Sequence, residues 1–218
     1  MTIDKLSFSN DPNIGLYSFA TDEYCLVGNI MNKEAEILQK NLNVKIIQSK
    51  ISQTSLPGIF CAGNSNGIIV PEIITDRELD FLKRQKNVLV LKGNNTALGN
   101  LILVNDKGCL ISEKLKSKKS EIKDFFGVRT EVSTIFGIDL VGTYAITNNK
   151  GCLTAKNITQ KEQEFLEDVL KVKSGPATVN FGYSFVKSGV IANSFGLLVG
   201  SQTSGPELER ISDVLGFV

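Results

Sequence analysis

The sequence predicts an α+β repeat ring built from five strand–strand–helix–strand units with pseudo-fivefold symmetry. Three observations point to it. Hairpin-turn glycines at Gly67, Gly108, Gly151 and Gly196, with Tyr24 in the first copy, keep steps of 43, 41, 43 and 45 residues. The glycine opening each unit repeats almost in phase, at Gly15, Gly58, Gly99, Gly142 and Gly189, with steps of 43, 41, 43 and 47. Residues 3–8 also alternate apolar and polar before the first unit begins, while the fifth unit stops at Val218 without a third strand. A period of this length signals an array or a ring. Units this small cannot each hold a core, so residues 1–218 are expected to form one cooperative domain. Its units are approximately 10–52, 53–94, 95–137, 138–180 and 181–218. Strand 3–8 completes the last of them and closes the ring, removing the edges of an open array.

The second unit shows the pattern in full. Residues 58–62 form an apolar run, residues 63–67 an Asn/Gly-rich turn and residues 68–70 a second run, together a hairpin. Pro71 offers no amide to a ladder and should stop it. Thr75 and Glu78 make a capping box flanked by Ile74 and Leu79, Leu82 shares the face of Leu79, and residues 88–91 close the unit.

The other units follow in order. The first has strands 16–19 and 25–27, a helix near 33–41 and a strand 44–49. The third has strands 101–104 and 109–111, a helix near 117–126 with Ile122, Phe125 and Phe126 inward, and strand 128–135. The fourth has strands 143–147 and 152–154, then a helix starting at a Thr159/Glu162 box and burying Phe165, Leu166, Val169 and Leu170. The fifth has strands 190–192 and 197–199 and a helix from a Ser204/Glu207 box, striped by Leu208, Ile211 and Leu215.

Composition narrows the function. With 42% apolar and 22% charged residues the chain is an ordinary globular protein, and a net charge of +1 gives no global pull toward nucleic acid. No apolar run approaches the ~20 residues of a membrane span, and Met1-Thr2-Ile3-Asp4-Lys5 lacks a signal-peptide layout, so a cytoplasmic protein is expected. Histidine is absent, which removes Ser-His-Asp and Cys-His catalysis, histidine metal sites and histidine bases together. Cys25, Cys109 and Cys152 share the repeat position that Ile68 and Leu197 fill elsewhere. Like Cys61, they read as packing residues rather than reactive or metal-binding thiols.

Several features could bind a partner. Lys114, Lys116, Lys118, Lys119 and Lys123 could meet RNA phosphate, but interleaved Glu113, Glu121 and Asp124 favour a solvated helix face. The Asn-rich turns are explained by the φ > 0 that tight turns require. No stretch matches a phosphate loop. Asn100 stands apart: its counterparts in the glycine alignment are Leu16, Ile59, Thr143 and Val190, so the fold does not require an amide there. Residues 178–185 break the sibling pattern and place three aromatics in a junction loop, either as core lids or as binding anchors.

Residues spread over the whole chain resemble the translation initiation factor 6 family, the large-subunit anti-association factors of archaea and eukaryotes. They are Tyr24-Cys25-Leu26-Val27, Gly63-Asn64 with Gly67, Val70-Pro71, Thr75-Asp76 with Glu78-Leu79, Ala97-Leu98-Gly99-Asn100 with Asn105-Asp106, and Thr178-Val179-Asn180 with Gly182. The resemblance implies a five-bladed pentein ring, or β/α propeller. It implies binding to the free large (50S) ribosomal subunit near the sarcin–ricin loop and an adjoining ribosomal protein, preventing association with the small subunit. A role in initiation and large-subunit maturation comes with it, as do a monomeric state and no cofactor, DNA or membrane partner. Asn100, with Leu98 and Gly99, falls on a contact position, and Phe185, with Tyr183 and Ser184, lies beside another. The chain lacks the long C-terminal tail of eukaryotic members, so the short form looks archaeal. Two alternatives come from other classes. Pentein enzymes that modify guanidines need a Cys, a His and acidic residues, which a histidine-free chain does not have. A non-catalytic pentein scaffold with a different protein partner stays open.

Overall fold

The computed structural model describes residues 2–218. Strand β1 (Thr2–Leu6) comes first, and five units follow. Unit one holds β2 (Ser18–Ala20), β3 (Tyr24–Val27), α1 (Asn32–Leu42) and β4 (Lys45–Gln48); unit two holds β5 (Ala62–Asn64), β6 (Gly67–Pro71), α2 (Asp76–Lys83) and β7 (Val88–Leu91). Unit three holds β8 (Ile102–Val104), β9 (Gly108–Ile111), a 3-10 turn (Glu113–Lys118) leading into α3 (Lys119–Phe126), and β10 (Arg129–Val132). Unit four holds β11 (Ala145–Thr147), β12 (Gly151–Ala155), α4 (Gln160–Leu170) and β13 (Lys173–Ala177). Unit five holds β14 (Val190–Ala192), β15 (Gly196–Gly200) and α5 (Gly205–Val214).

The strands form five three-stranded sheets of one design. In each the first two strands pair antiparallel, and the third pairs parallel to the middle one after the helix has carried the chain across, as a parallel pair requires. The fifth sheet takes β1 as its third strand, with Thr2 opposite Gly196 and Leu6 opposite Gly200. The alternating segment at one end therefore supplies the strand missing at the other. The middle strands are buried along their whole length, which is why they read as unbroken apolar runs rather than alternating ones.

Some sequence boundaries need correction. Residues 57–60 are a helical turn rather than strand, and the same holds for 14–17, 98–101 and 141–144, so the first strands are only three residues long. Pro71 ends β6 from inside, opposite Leu91, because a terminal ladder position spares its missing amide. The strand expected over 128–135 is limited to β10, and Phe165 is 37% exposed rather than buried.

The largest correction concerns the unit-opening glycine. In unit five the equivalent turn is a 3-10 helix over Val186–Gly189, leading directly into β14. The residue aligned with Gly15, Gly58, Gly99 and Gly142 is thus Lys187, 45 residues after Gly142 and in phase with the step from Gly151 to Gly196. Close packing confirms this register. A Cβ on Gly58 would lie 2.1 Å from the Gly15 carbonyl, one on Gly99 2.2 Å from that of Gly58, and one on Gly142 2.3 Å from that of Gly99. The Gly15 position completes the series against the Lys187 carbonyl, at 1.9 Å. Each short turn packs on its neighbour, and the fifth packs on both the fourth and the first. The five first strands together line a central cavity of about 60 Å³.

Candidate functional site

The junction loops are held by the helix that follows in the same unit. The N3 glutamates Glu78, Glu162 and Glu207 each reach back to the N-cap amide, as the capping boxes predict, and Glu34 does the same to Met31, which the sequence did not signal. The sequence reading missed their second bond. The carboxylates of Glu34, Glu78, Glu162 and Glu207 also accept from the loop amides of Ser9, Ser52 and Gln53, Phe136, and Phe181 and Gly182, respectively. Those loop residues have φ between 51° and 98°, a conformation that turns their amides to one side. Glu207 is the most heavily used: Ser204 N–H donates at 2.7 Å, Thr178 Oγ1 at 2.7 Å and Gly182 N–H at 2.8 Å. Partial burial raises its pKa, but these donors outweigh that and hold it at about 2.

Pinned this way, the fifth junction loop presents its aromatics outward. Phe181 is 80% exposed, Tyr183 58% and Phe185 44%. Phe185 stacks on Tyr144 with centroids 5.4 Å apart, and Tyr144 meets Phe136 edge-on at 5.5 Å. The loop is therefore a surface feature backed by an aromatic row from unit four. Ser184 is exposed between the two rings.

Asn100 is the third residue of the helical turn Leu98–Leu101 and is partly exposed. Its amide donates to Ala97 O at 3.0 Å, while no described residue bonds its carboxamide. Leu98 and Gly99 are buried: Leu98 packs in the core around Ile111 and Phe126, and Gly99 sits under the Gly58 carbonyl. They shape the backbone beneath Asn100 and present no side chain at the surface. With the register corrected, the counterpart of Asn100 in unit five is Ser188 rather than Val190. Asn100, Thr143 and Ser188 then occupy one position on three consecutive turns that touch in order. Thr143 Oγ1 is buried without a partner, and Ser188 Oγ donates to Phe185 O at 2.8 Å. Three neighbouring turns thus carry a polar residue at this position, the last of them bonded to Phe185, an equivalence that sequence reasoning missed.

Three lysines of the cluster before and on the third helix are paired with nearby carboxylates: Lys116 with Glu113, Lys118 with Glu121 and Lys119 with Glu131. All four cysteines are buried free thiols whose pKa burial pushes up, so they stay protonated and inert. Among the described residues no three His, Cys, Asp or Glu side chains gather as metal ligands, and no helix is long and apolar enough to cross a membrane.

Comparison with known proteins finds relatives along the whole length of the chain. Translation initiation factor 6 of Methanocaldococcus jannaschii is 41% identical, covering 97% of this chain and 96% of that protein. The factor of the same name from Methanococcus vannielii is 40% identical over 99% of each chain, and that of Staphylothermus marinus 38% over 97% and 96%. A solved dimethylarginine dimethylaminohydrolase superposes with a TM-score of 0.47 at 12% identity, over 75% of this chain and 68% of that one. Residues 3–214 match the eIF-6 family, and the chain belongs to that family.

Proposed function

We propose that this chain is a translation initiation factor that binds the free large (50S) ribosomal subunit near the sarcin–ricin loop and an adjoining ribosomal protein, preventing association with the small subunit. It acts in initiation and in large-subunit maturation, as a cytoplasmic monomer without catalysis. Its body is a single closed pentein propeller of five units over residues 1–218. The neighbour-to-neighbour contacts of the short turns and the β1–β15 pairing support that reading. The docking face is the junction-loop side, with Asn100, Tyr183, Ser184 and Phe185 in contact and Leu98 and Gly99 shaping the turn beneath. The observation that carries this assignment is the Asn100 carboxamide, partly exposed at a position where the repeat elsewhere has Leu16, Ile59, Thr143 and Ser188, and without a hydrogen-bond partner among the described residues.

Sedimentation with purified subunits tests it. The protein should pellet with large subunits and not with small ones. Asn100→Ala should weaken that binding by about 1–3 kcal/mol, roughly ten- to hundredfold, with the melting curve nearly unchanged. The paired Lys118→Ala and Lys119→Ala variant should bind normally with the same salt dependence. Equal pelleting with both subunits would favour the scaffold reading. Normal binding by Asn100→Ala together with loss in the lysine pair would move the docking face to the third helix.

A further inference from the structure

Lys187 fills the place that four other units give to glycine, and its side chain turns inward. Its Nζ donates to Gly58 O at 2.6 Å and also to Gly99 O, so one residue of unit five bonds units two and three across the centre. Lys187 borders the central cavity of about 60 Å³, whose lining is mostly apolar, with Cys61, Ala62, Ile102 and Val190, but includes Ser18 and Thr147. Such a space holds only a few water molecules. Among the described residues no carboxylate bonds or pairs with Lys187.

Donor counting decides which form fits. An ammonium has three N–H groups, whereas a neutral amine has two and a lone pair. The cradle supplies two carbonyl acceptors. The two carbonyls match both N–H groups of a neutral amine, whose lone pair is left without a protein donor, whereas an ammonium brings a third N–H for which only cavity water remains and a charge with no carboxylate beside it. We propose that Lys187 is a proton-sensitive plug: it ties units five, two and three together as a neutral amine, and protonation loosens that tie.

The surroundings offer the charge little help. Burial draws the lysine from its ordinary range down to about 7, with only a small opposing effect from Cys61, whose thiol burial itself keeps protonated. On the neighbouring turns, Tyr17 is bonded to Asp11 and Tyr144 is stacked on Phe185, while Cys152 lies buried on the strand behind. Asp22 and Asp106 belong to the hairpin-turn end, where they bind Ser194, Asn149 and Ser65.

The sign follows from linkage. Between about pH 7 and the ordinary lysine range near pH 10 the unfolded chain binds more protons than the folded one. Stability therefore rises with pH in that window, by up to about tenfold in the folding constant per unit, and is flat below about pH 7. Denaturant unfolding of the full chain from pH 6 to 10 tests this against Lys187→Met and against Lys187→Gly, which restores the residue of the other four units. The wild-type folding constant should gain about a hundredfold or more on both variants across the window. The carbon shift adjacent to the Lys187 amine, followed by NMR in lysine-labelled protein, should titrate near pH 7. Parallel pH profiles of wild type and variants would overturn the proposal. So would a Lys187 resonance that titrates in the ordinary lysine range, a measurement that still decides if neither variant folds.

Discussion

In unit five the hairpin turn reads Asn193-Ser194-Phe195-Gly196, and in unit one the same four places are Thr21-Asp22-Glu23-Tyr24. Both turns face a seam, and they secure it by different chemistry. Asn193 uses both ends of its amide. Its oxygen accepts from Phe195 N–H at 2.9 Å and Gly196 N–H at 3.0 Å, while its nitrogen donates to Thr21 O at 3.0 Å and Leu42 O at 2.9 Å in unit one. Asn105 and Asn148 repeat this toward Leu170 O and Leu215 O. The glycine that follows is needed because the next helix end comes so near: a Cβ on Gly196 would lie 1.9 Å from Asn41 O. In unit one the Thr21 hydroxyl can serve its own turn, accepting from Glu23 and Tyr24 amides, but has no second arm. Tyr24 replaces the glycine, buries its whole ring against Phe19, and donates its hydroxyl to Gly67 O at 2.9 Å. Lys86 sits over that ring and pairs with Glu23 at 3.7 Å. One architecture thus accepts either a backbone approach locked by an amide or an aromatic side chain inserted as a spacer.

The contrast predicts a ranking. Tyr24→Ala removes a fully buried ring that no neighbouring backbone can replace, and should cost about 3–5 kcal/mol in denaturant unfolding. Asn193→Ala leaves two turn amides and two carbonyls without that partner, for an expected loss of about 2–3 kcal/mol. A loss under about 1 kcal/mol would mean that water takes over the role of the amide. Gly196→Ala should cost about 1–3 kcal/mol as the Asn41 carbonyl is pushed away, although a tyrosine is accommodated at the equivalent place in unit one. If Gly196→Ala were neutral, the Asn41 carbonyl would not be what requires glycine at this place.

The last contrast concerns the loop clamp. The depressed pKa of Glu207 means that its stabilisation is present above the ordinary glutamate range, near pH 4.3, and is lost as pH falls through about 2. Glu207→Gln should flatten the acid limb of the stability profile over that interval, with wild type and variant converging at its lower end. Unchanged curvature would show that the Phe181–Gly182 amides do not depend on this carboxylate.

Much of the repeat was legible because Asn and Gly mark the hairpins and Thr or Ser with Glu marks the helix starts. The reason read for the hairpins was wrong, however: none of their Asn or Gly residues has φ > 0. They are fixed instead by bonds to, and close approach of, the neighbouring unit. The short helical turns were not legible, since a four-residue apolar run carries no periodicity to separate helix from strand. Matching by residue identity also misplaced one register. Gly189 resembled the other junction glycines, yet the structurally equivalent residue is Lys187, whose role depends on contacts across the centre that no local pattern encodes. That slip hid Ser188 as the counterpart of Asn100 and Thr143. Asn100 itself was visible as a departure from its siblings, while Leu98 and Gly99 beside it are buried.

The pairing of Thr2 with Gly196 has a consequence for the timing of folding. On a growing chain, β1 is among the first segments made, but its partner strand arrives 194 residues later. At ordinary synthesis rates of about 5–20 residues per second that interval is roughly ten to forty seconds. Throughout it, four sheets can assemble from their own sequence while Thr2–Leu6 waits without a ladder, an open strand able to pair elsewhere. Asp4 and Lys5 between Ile3 and Leu6 put charge on the waiting strand, which discourages such pairing until β15 appears.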